Sequence, residues 1–194
     1  MAVAFTPAEK DRITGALLDA AERLFATQGL KKTALEELTT PAGIAKGSFY
    51  AFFDSKESLY KEVMLRRAPL IADRMSGALK ARPSVEALTE LMRTVAEILT
   101  TDPFYRRLHT HPEEMAAVTR RVGAHEAGRV PSELVDYFRD GQRDGLIAKD
   151  FAPEMLVAAL GAVSLVVMTA ERYGEAYEQV LEATIGTLAR GMVA

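Results

Sequence analysis

The sequence contains no cysteine in its 194 residues, which excludes a disulfide framework, thiolate metal ligation and a cysteine nucleophile. Its first residues, MAVAFTPAEKDR, lack a basic start followed by a long apolar stretch, so no secretory leader is expected and the protein should act in the cytoplasm. The longest uncharged run, MLVAALGAVSLVVMTA at residues 155–170, is bracketed by Glu154 and Glu171 and is shorter than the roughly 20 residues a bilayer needs. It reads as a buried helix, and no membrane partner is expected. Bulk basicity is missing too: the formal net charge is -3, so any nucleic-acid contact must come from a local cluster. Two-residue alternation, internal repeats and low-complexity linkers are absent as well. There is no glycine-rich phosphate loop, no Ser-His-Asp arrangement and no paired Glu-x-x-His motif, so neither an enzyme nor a cofactor is expected. His109 and His111 diverge on a helix and His125 lies elsewhere in the sequence, so no metal site is expected.

What is present is helical spacing from end to end. Thr6, Pro7 and Glu9 give a capping box with proline at the first helical position, followed by a stripe of Ile13, Leu17, Ala20, Ala21, Leu24 and Phe25 that Gly29 should close. Thr33 with Glu36 suggests a second capping box, for a short helix ending at Gly43 with Pro41 in its last turn. Only Ile44 and Ala45 then intervene before helix-compatible sequence resumes at Lys46, the spacing of a helix-turn-helix. Within that third element Phe49, Phe52 and Phe53 share one side and Gly47 and Ala51 the other. The rings should fasten the helix inward and leave small side chains facing out, with Ser48 and Tyr50 at the margins. Asp54 or Ser55 can cap a fourth helix that opens with Lys56, where an ammonium and free N–H groups together favour a phosphate.

The stretch LDAAERLFATQGLKKTALEELTTPAGIAKGSFYAFFDSKESLY, within residues 12–63, resembles the DNA-binding domain of the TetR family of bacterial transcriptional regulators. The helical spacing by itself gives an all-α chain of about nine helices; the resemblance divides it into a helix-turn-helix domain at residues 1–54 and a ligand-binding and dimerisation domain at 55–194. It also implies a homodimer that binds operator DNA and releases it when a small molecule occupies the helical core. Carried over residue by residue, it points to Thr33, Lys46, Gly47, Ser48, Tyr50, Ala51 and Lys56 as the DNA-binding set. Three positions depart from the family's pattern: Ala45 replaces a frequent capping serine, Phe52 a frequent histidine, and Pro41 is unusual. The first 60 residues hold seven basic and eight acidic residues. A helix-turn-helix whose DNA face has lapsed into a protein-interaction surface is therefore the alternative reading, and a small helical enzyme a more distant one.

Beyond residue 60 further helices follow. Met92, Val95, Phe104, Leu108, Phe138 and Met168, with His109 as a polar group, are candidates to surround a lipophilic or aromatic effector. The helix at 154–172 is apolar on nearly every side and must be covered on both flanks. One cover is a symmetry mate, with Val163 and Val166, and Leu181, Ile185 and Leu188 of the last helix, as candidate interface residues. Pro69 should interrupt and kink the long fourth helix.

Overall fold

The computed structural model describes residues 5–123 and 132–194. Eleven α-helices and two short 3-10 helices occupy them, with no strand among the described residues. The N-terminal helix α1, Pro7–Thr27, starts as its capping residues require: the Thr6 hydroxyl accepts from the Glu9 N–H at 3.3 Å, and the Glu9 carboxylate accepts from the Thr6 N–H at 2.8 Å. Gly29, at φ 84°, then turns the chain into α2, the single turn Gly29–Lys32. Next come α3 (Leu35–Ala42) and a 3-10 helix at Lys46–Ala51. They are followed by α4 (Lys56–Lys80), α5 (Val85–Thr101), α6 (Pro103–Thr110) and α7 (Pro112–Val122). After the described gap lie α8 (Ser132–Arg143), α9 (Pro153–Met168), the short α10 (Ala170–Tyr173) and α11 (Tyr177–Met192). His125 and the stretch preceding Ser132 lie outside the described residues.

Packing divides the chain into two units: Met1–Ala68 with Pro103–Gly128, and Pro69–Asp102 with Arg129–Ala194. That division falls inside α4 rather than at the expected 54/55, and it returns α6 and α7 to the N-terminal part. In the first unit α1 supplies Ile13, Leu17, Ala21 and Phe25 to a core closed by Leu38, Phe49, Leu59, Tyr60, Phe104 and Val118. Rings stack through it: Phe25 lies 5.1 Å from Tyr60, and Tyr60 5.2 Å from Phe104. Burial pushes the Tyr60 phenol well above its ordinary range, so it stays neutral. On the rim Arg66 of α4 pairs with Asp19 at 2.7 Å and with Glu22, which also receives Arg67.

The second unit packs α5, α9 and α11 together and seats α8 on α9. Arg93 of α5 holds Glu182 of α11 through two hydrogen bonds, at 3.2 and 2.6 Å. The chain end is pinned by the Ala148 N–H donating to the Met192 carbonyl and the Ala194 N–H donating to the Leu146 carbonyl.

Two local expectations change. Pro69 does not interrupt α4, which is one helix from Lys56 to Lys80 with the proline inside it. Pro69 and Leu65 are both exposed, so the carbonyl that the proline leaves without an N–H partner lies on the solvent side of the helix, where water can satisfy it. Lastly, α9 stops at Met168, four residues before the expected end, where the Thr169 hydroxyl donates back to the Leu165 carbonyl at 2.6 Å.

Candidate nucleic-acid interface

The turn that presents residues 46–51 is built from one glycine. Gly43 ends α3 at φ 71°, the left-handed conformation that costs glycine least. Its N–H and that of Ile44 satisfy the last carbonyls of α3 at 3.1 and 3.2 Å. Ala45 then enters the 3-10 helix with an extended backbone and no side-chain cap. The Ser48 N–H donates to the Ala45 carbonyl at 2.9 Å. Phe49 is fully buried and its ring sits 6.0 Å from that of Phe53, which is also buried. Phe52 is only half-buried, and its ring packs at 5.2 Å against Phe5, just ahead of α1. Two of the three rings thus anchor the element from below and the third from the side.

The opposite side is bare. Lys46, Gly47, Tyr50 and Ala51 are exposed and Ser48 is half-buried. Tyr50, 60% exposed, stands edge-on to the buried Phe49 at 5.5 Å. Lys31 and Lys32, at the end of α2, are exposed as well.

Two expected contacts are placed differently. Thr33 is buried, and its hydroxyl donates to the Gly29 carbonyl at 2.7 Å. The cap position of α3 is Ala34, one residue later, whose N–H is taken by the Glu37 carboxylate at 2.8 Å. An alanine has no acceptor, so only the glutamate half of the capping box exists. Lys56 directs its ammonium inward, donating to the Leu30 carbonyl at 2.8 Å and the Thr33 carbonyl at 2.6 Å. Two of its three N–H groups therefore close the end of α2 and brace the start of α3. The first-turn cap of α4 is Ser55, whose hydroxyl accepts from the Ser58 N–H at 3.1 Å.

Further features were not anticipated from sequence. Glu36 pairs with Lys46 at 2.8 Å on the exposed face. The hydrogen bond between them holds the Glu36 carboxyl below its ordinary value and the Lys46 ammonium above its own, so both are charged at neutral pH. Arg107 of α6 and Glu114 of α7 form a largely buried pair at 2.7 Å, seated directly against Gly29. A side chain at residue 29 would collide with both, so that position needs glycine for space as well as for its backbone. Neither pair is a local pattern: the partners are joined only when separate helices meet.

The candidate effector residues fall in both units. Phe104, buried, belongs to the ring stack of the first unit, with the Arg67 guanidinium 5.4 Å above it. Leu108 is half-buried and His109 exposed on the same helix. Met92 and Phe138 are fully buried in the second unit, and Val95 and Met168 are half-buried there. A cleft of about 560 Å³ in the first unit is lined by Thr14, Leu18, Phe52, Phe53, Ser58 and Arg121, among others, and includes none of these candidates.

For the expected interface the structure corrects the helix register. Val163 and Ile185 are 0% exposed, and Val166 and Leu181 are close to that; all four fill the second unit's own core, with Leu188 half-buried beside them. The uncovered side of α9 is Met155, Ala158, Gly161 and Leu165, with Met155 59% and Leu165 62% exposed.

With this geometry in place, comparison with known proteins identifies the class. Residues 17–63 match the model of bacterial regulatory proteins of the tetR family. The chain is 30% identical over 152 residues to the HTH-type transcriptional repressor KstR2 of Rhodococcus jostii, covering 72% of this chain and 70% of that one. It is 27% identical to the HTH-type transcriptional repressor DhaR of a Mycobacterium species, covering 85% and 86%. A putative TetR-family regulator from Mesorhizobium loti shares the fold with a TM-score of 0.69 at 21% identity, over 98% of this chain and 100% of that one. The chain belongs to the TetR family and is a ligand-responsive, DNA-binding transcriptional regulator. Regulators of this family bind operator DNA and small-molecule effectors and act as dimers. No single helix among the described residues is long and apolar enough to cross a membrane.

Proposed function

We propose that this chain is a cytoplasmic repressor which binds a palindromic operator as a homodimer and leaves it when a lipophilic or aromatic molecule enters its helical core. The observation that carries the DNA-binding half is the face of Lys46, Gly47, Ser48, Tyr50 and Ala51, exposed above the buried Phe49 and Phe53. Small residues let the backbone approach a groove, and the Tyr50 hydroxyl and nearby N–H groups suit phosphate oxygens. Lys31 and Lys32 add positive charge beside that face. Thr33 and Lys56 act one step back, holding the α2 turn that supports it. Residues 1–54 form the DNA-binding portion in this reading, and the helices beyond form the effector and dimer portion.

The repressor assignment follows the relatives KstR2 and DhaR, both described as repressors. Dimerisation through α9 and α11 follows from the uncovered stripe of Met155, Ala158 and Leu165, which two copies can bury against each other. Two recognition elements would then reach successive major grooves about 34 Å apart. Selection of bound duplexes from a random library tests the reading directly: a two-fold symmetric site should emerge, and absence of any enriched sequence would sink it. A thermal-shift screen with small aromatic and acyl compounds tests the effector class, since a true effector raises the melting temperature and weakens operator binding.

A further inference from the structure

An acidic side chain on a surface meant for a polyanion calls for a physical reason. Glu36 lies in the first turn of α3, and its Oε1 sits 2.8 Å from the Lys46 Nζ, with both side chains 58% exposed. Glu36 does not cap its own helix. Its neighbour Glu37 does that, accepting from the Ala34 N–H and from the Gln28 side-chain amide, both at 2.8 Å. An exposed ion pair of this kind adds little stability, so folding gives no strong reason to keep it. Lys46 is the first residue of the recognition element, and the N-terminal residues of such elements are the ones that meet base edges.

The pair sets a donor and an acceptor side by side. In the major groove a G·C pair offers N7 and O6 as adjacent acceptors on guanine, followed by the N4 amino donor on cytosine. O6 and N4 are hydrogen-bonded to each other, so they stand about 3 Å apart, close to the spacing of the ammonium and carboxylate here. An A·T pair also sets an acceptor, N7, beside a donor, N6, but the two lie one position nearer the purine end of the groove edge and a methyl group follows at the other end, so a pair fixed in register over O6 and N4 of G·C would meet them out of place. The carboxylate also repels phosphate, which would otherwise attract Lys46 at any sequence.

We propose that Glu36 is a specificity-determining residue: with Lys46 it reads one G·C base pair in each operator half-site, and it restrains Lys46 from indiscriminate phosphate binding. This rests on the assignment of residues 46–51 as the recognition element. The test begins with the site selected by the full-length parent protein. Fluorescence anisotropy then measures binding to that site and to versions in which each G·C pair of the half-site is changed to A·T. For the parent, one such change should lower affinity about tenfold. In Glu36→Ala and in Lys46→Ala that penalty should shrink to less than about twofold. Glu36→Ala should also bind non-specific DNA several-fold more tightly, with a log-log salt slope steeper by about one unit per subunit; Lys46→Ala should not. Glu36→Gln, which keeps the side-chain length, should show the same gain in non-specific affinity should the alanine variant fold poorly. A retained penalty in Glu36→Ala, or unchanged non-specific affinity in both Glu36 variants, overturns the proposal. Failure of the parent to select any duplex overturns the DNA-binding reading instead.

Discussion

Two uncovered surfaces, one in each unit, invite comparison. The 3-10 helix at Lys46–Ala51 and the outer side of α9 both present small residues at close spacing, Gly47 and Ala51 in one case and Ala158 and Gly161 in the other. What differs is the company they keep. Around the first stand Lys46, Glu36, Ser48 and a tyrosine hydroxyl; around the second stand Met155 and Leu165. Small residues permit close approach in both places, and their neighbours set what each surface suits: a hydrated polyanion in the first case, a second apolar helix in the second. The support also differs. The recognition element is short and weakly capped, so its rigidity comes from Phe49 and Phe53 beneath it. By contrast α9 is a continuous α-helix over Pro153–Met168, held along its length by its own backbone hydrogen bonds.

That contrast can be broken most severely from below. Phe49→Ala should cost about 3–5 kcal/mol of stability, the usual price of deleting a buried aromatic ring, seen as a lower urea midpoint. Phe52→Ala, losing a half-buried ring against Phe5, should cost clearly less. Next in size are two charge insertions in one helix. Leu165→Glu should turn the dimer into a folded monomer, since an unpaired charge in an apolar interface costs several kcal/mol, whereas Val163→Glu should unfold the second unit. Sedimentation velocity paired with circular dichroism separates the two outcomes, and a stable dimer in Leu165→Glu would move the interface elsewhere.

Smaller effects sharpen the difference between supporting and touching residues in the first unit. Lys56→Met leaves the Leu30 and Thr33 carbonyls without their charged partner, so stability should fall by about 1–3 kcal/mol. The salt slope of operator binding should stay that of the parent, because no phosphate contact is lost; a slope reduced by one unit per subunit would return Lys56 to the DNA surface. Tyr50→Phe is the mildest. It should leave the melting temperature unchanged and weaken operator binding about fivefold, the loss of one hydroxyl contact worth about 1 kcal/mol.

Much of this was readable in the sequence, because much of it is local. The capping box at Thr6, the left-handed stop at Gly43 and the short turn to Lys46 each depend on residues within a few positions of one another, and each appears where it was expected. All-helical architecture followed from apolar spacing alone. Face assignments within a nearly all-apolar helix were another matter. In α9 Val163 and Leu165 are chemically alike, two residues apart, and only packing against α5 and α11 decides that one is core and the other bare. Long polar side chains escaped sequence reading for a related reason. Lys56 reaches carbonyls 26 and 23 residues away, Arg107 and Glu114 close over Gly29 from two other helices, and Glu36 meets Lys46 across a turn. The residue types around the exposed 46–51 face were legible from order along the chain. Which of those charges touch solvent, and which already hold the protein together, was decided only when the helices came into contact, because a flexible side chain takes the nearest partner that the tertiary fold supplies.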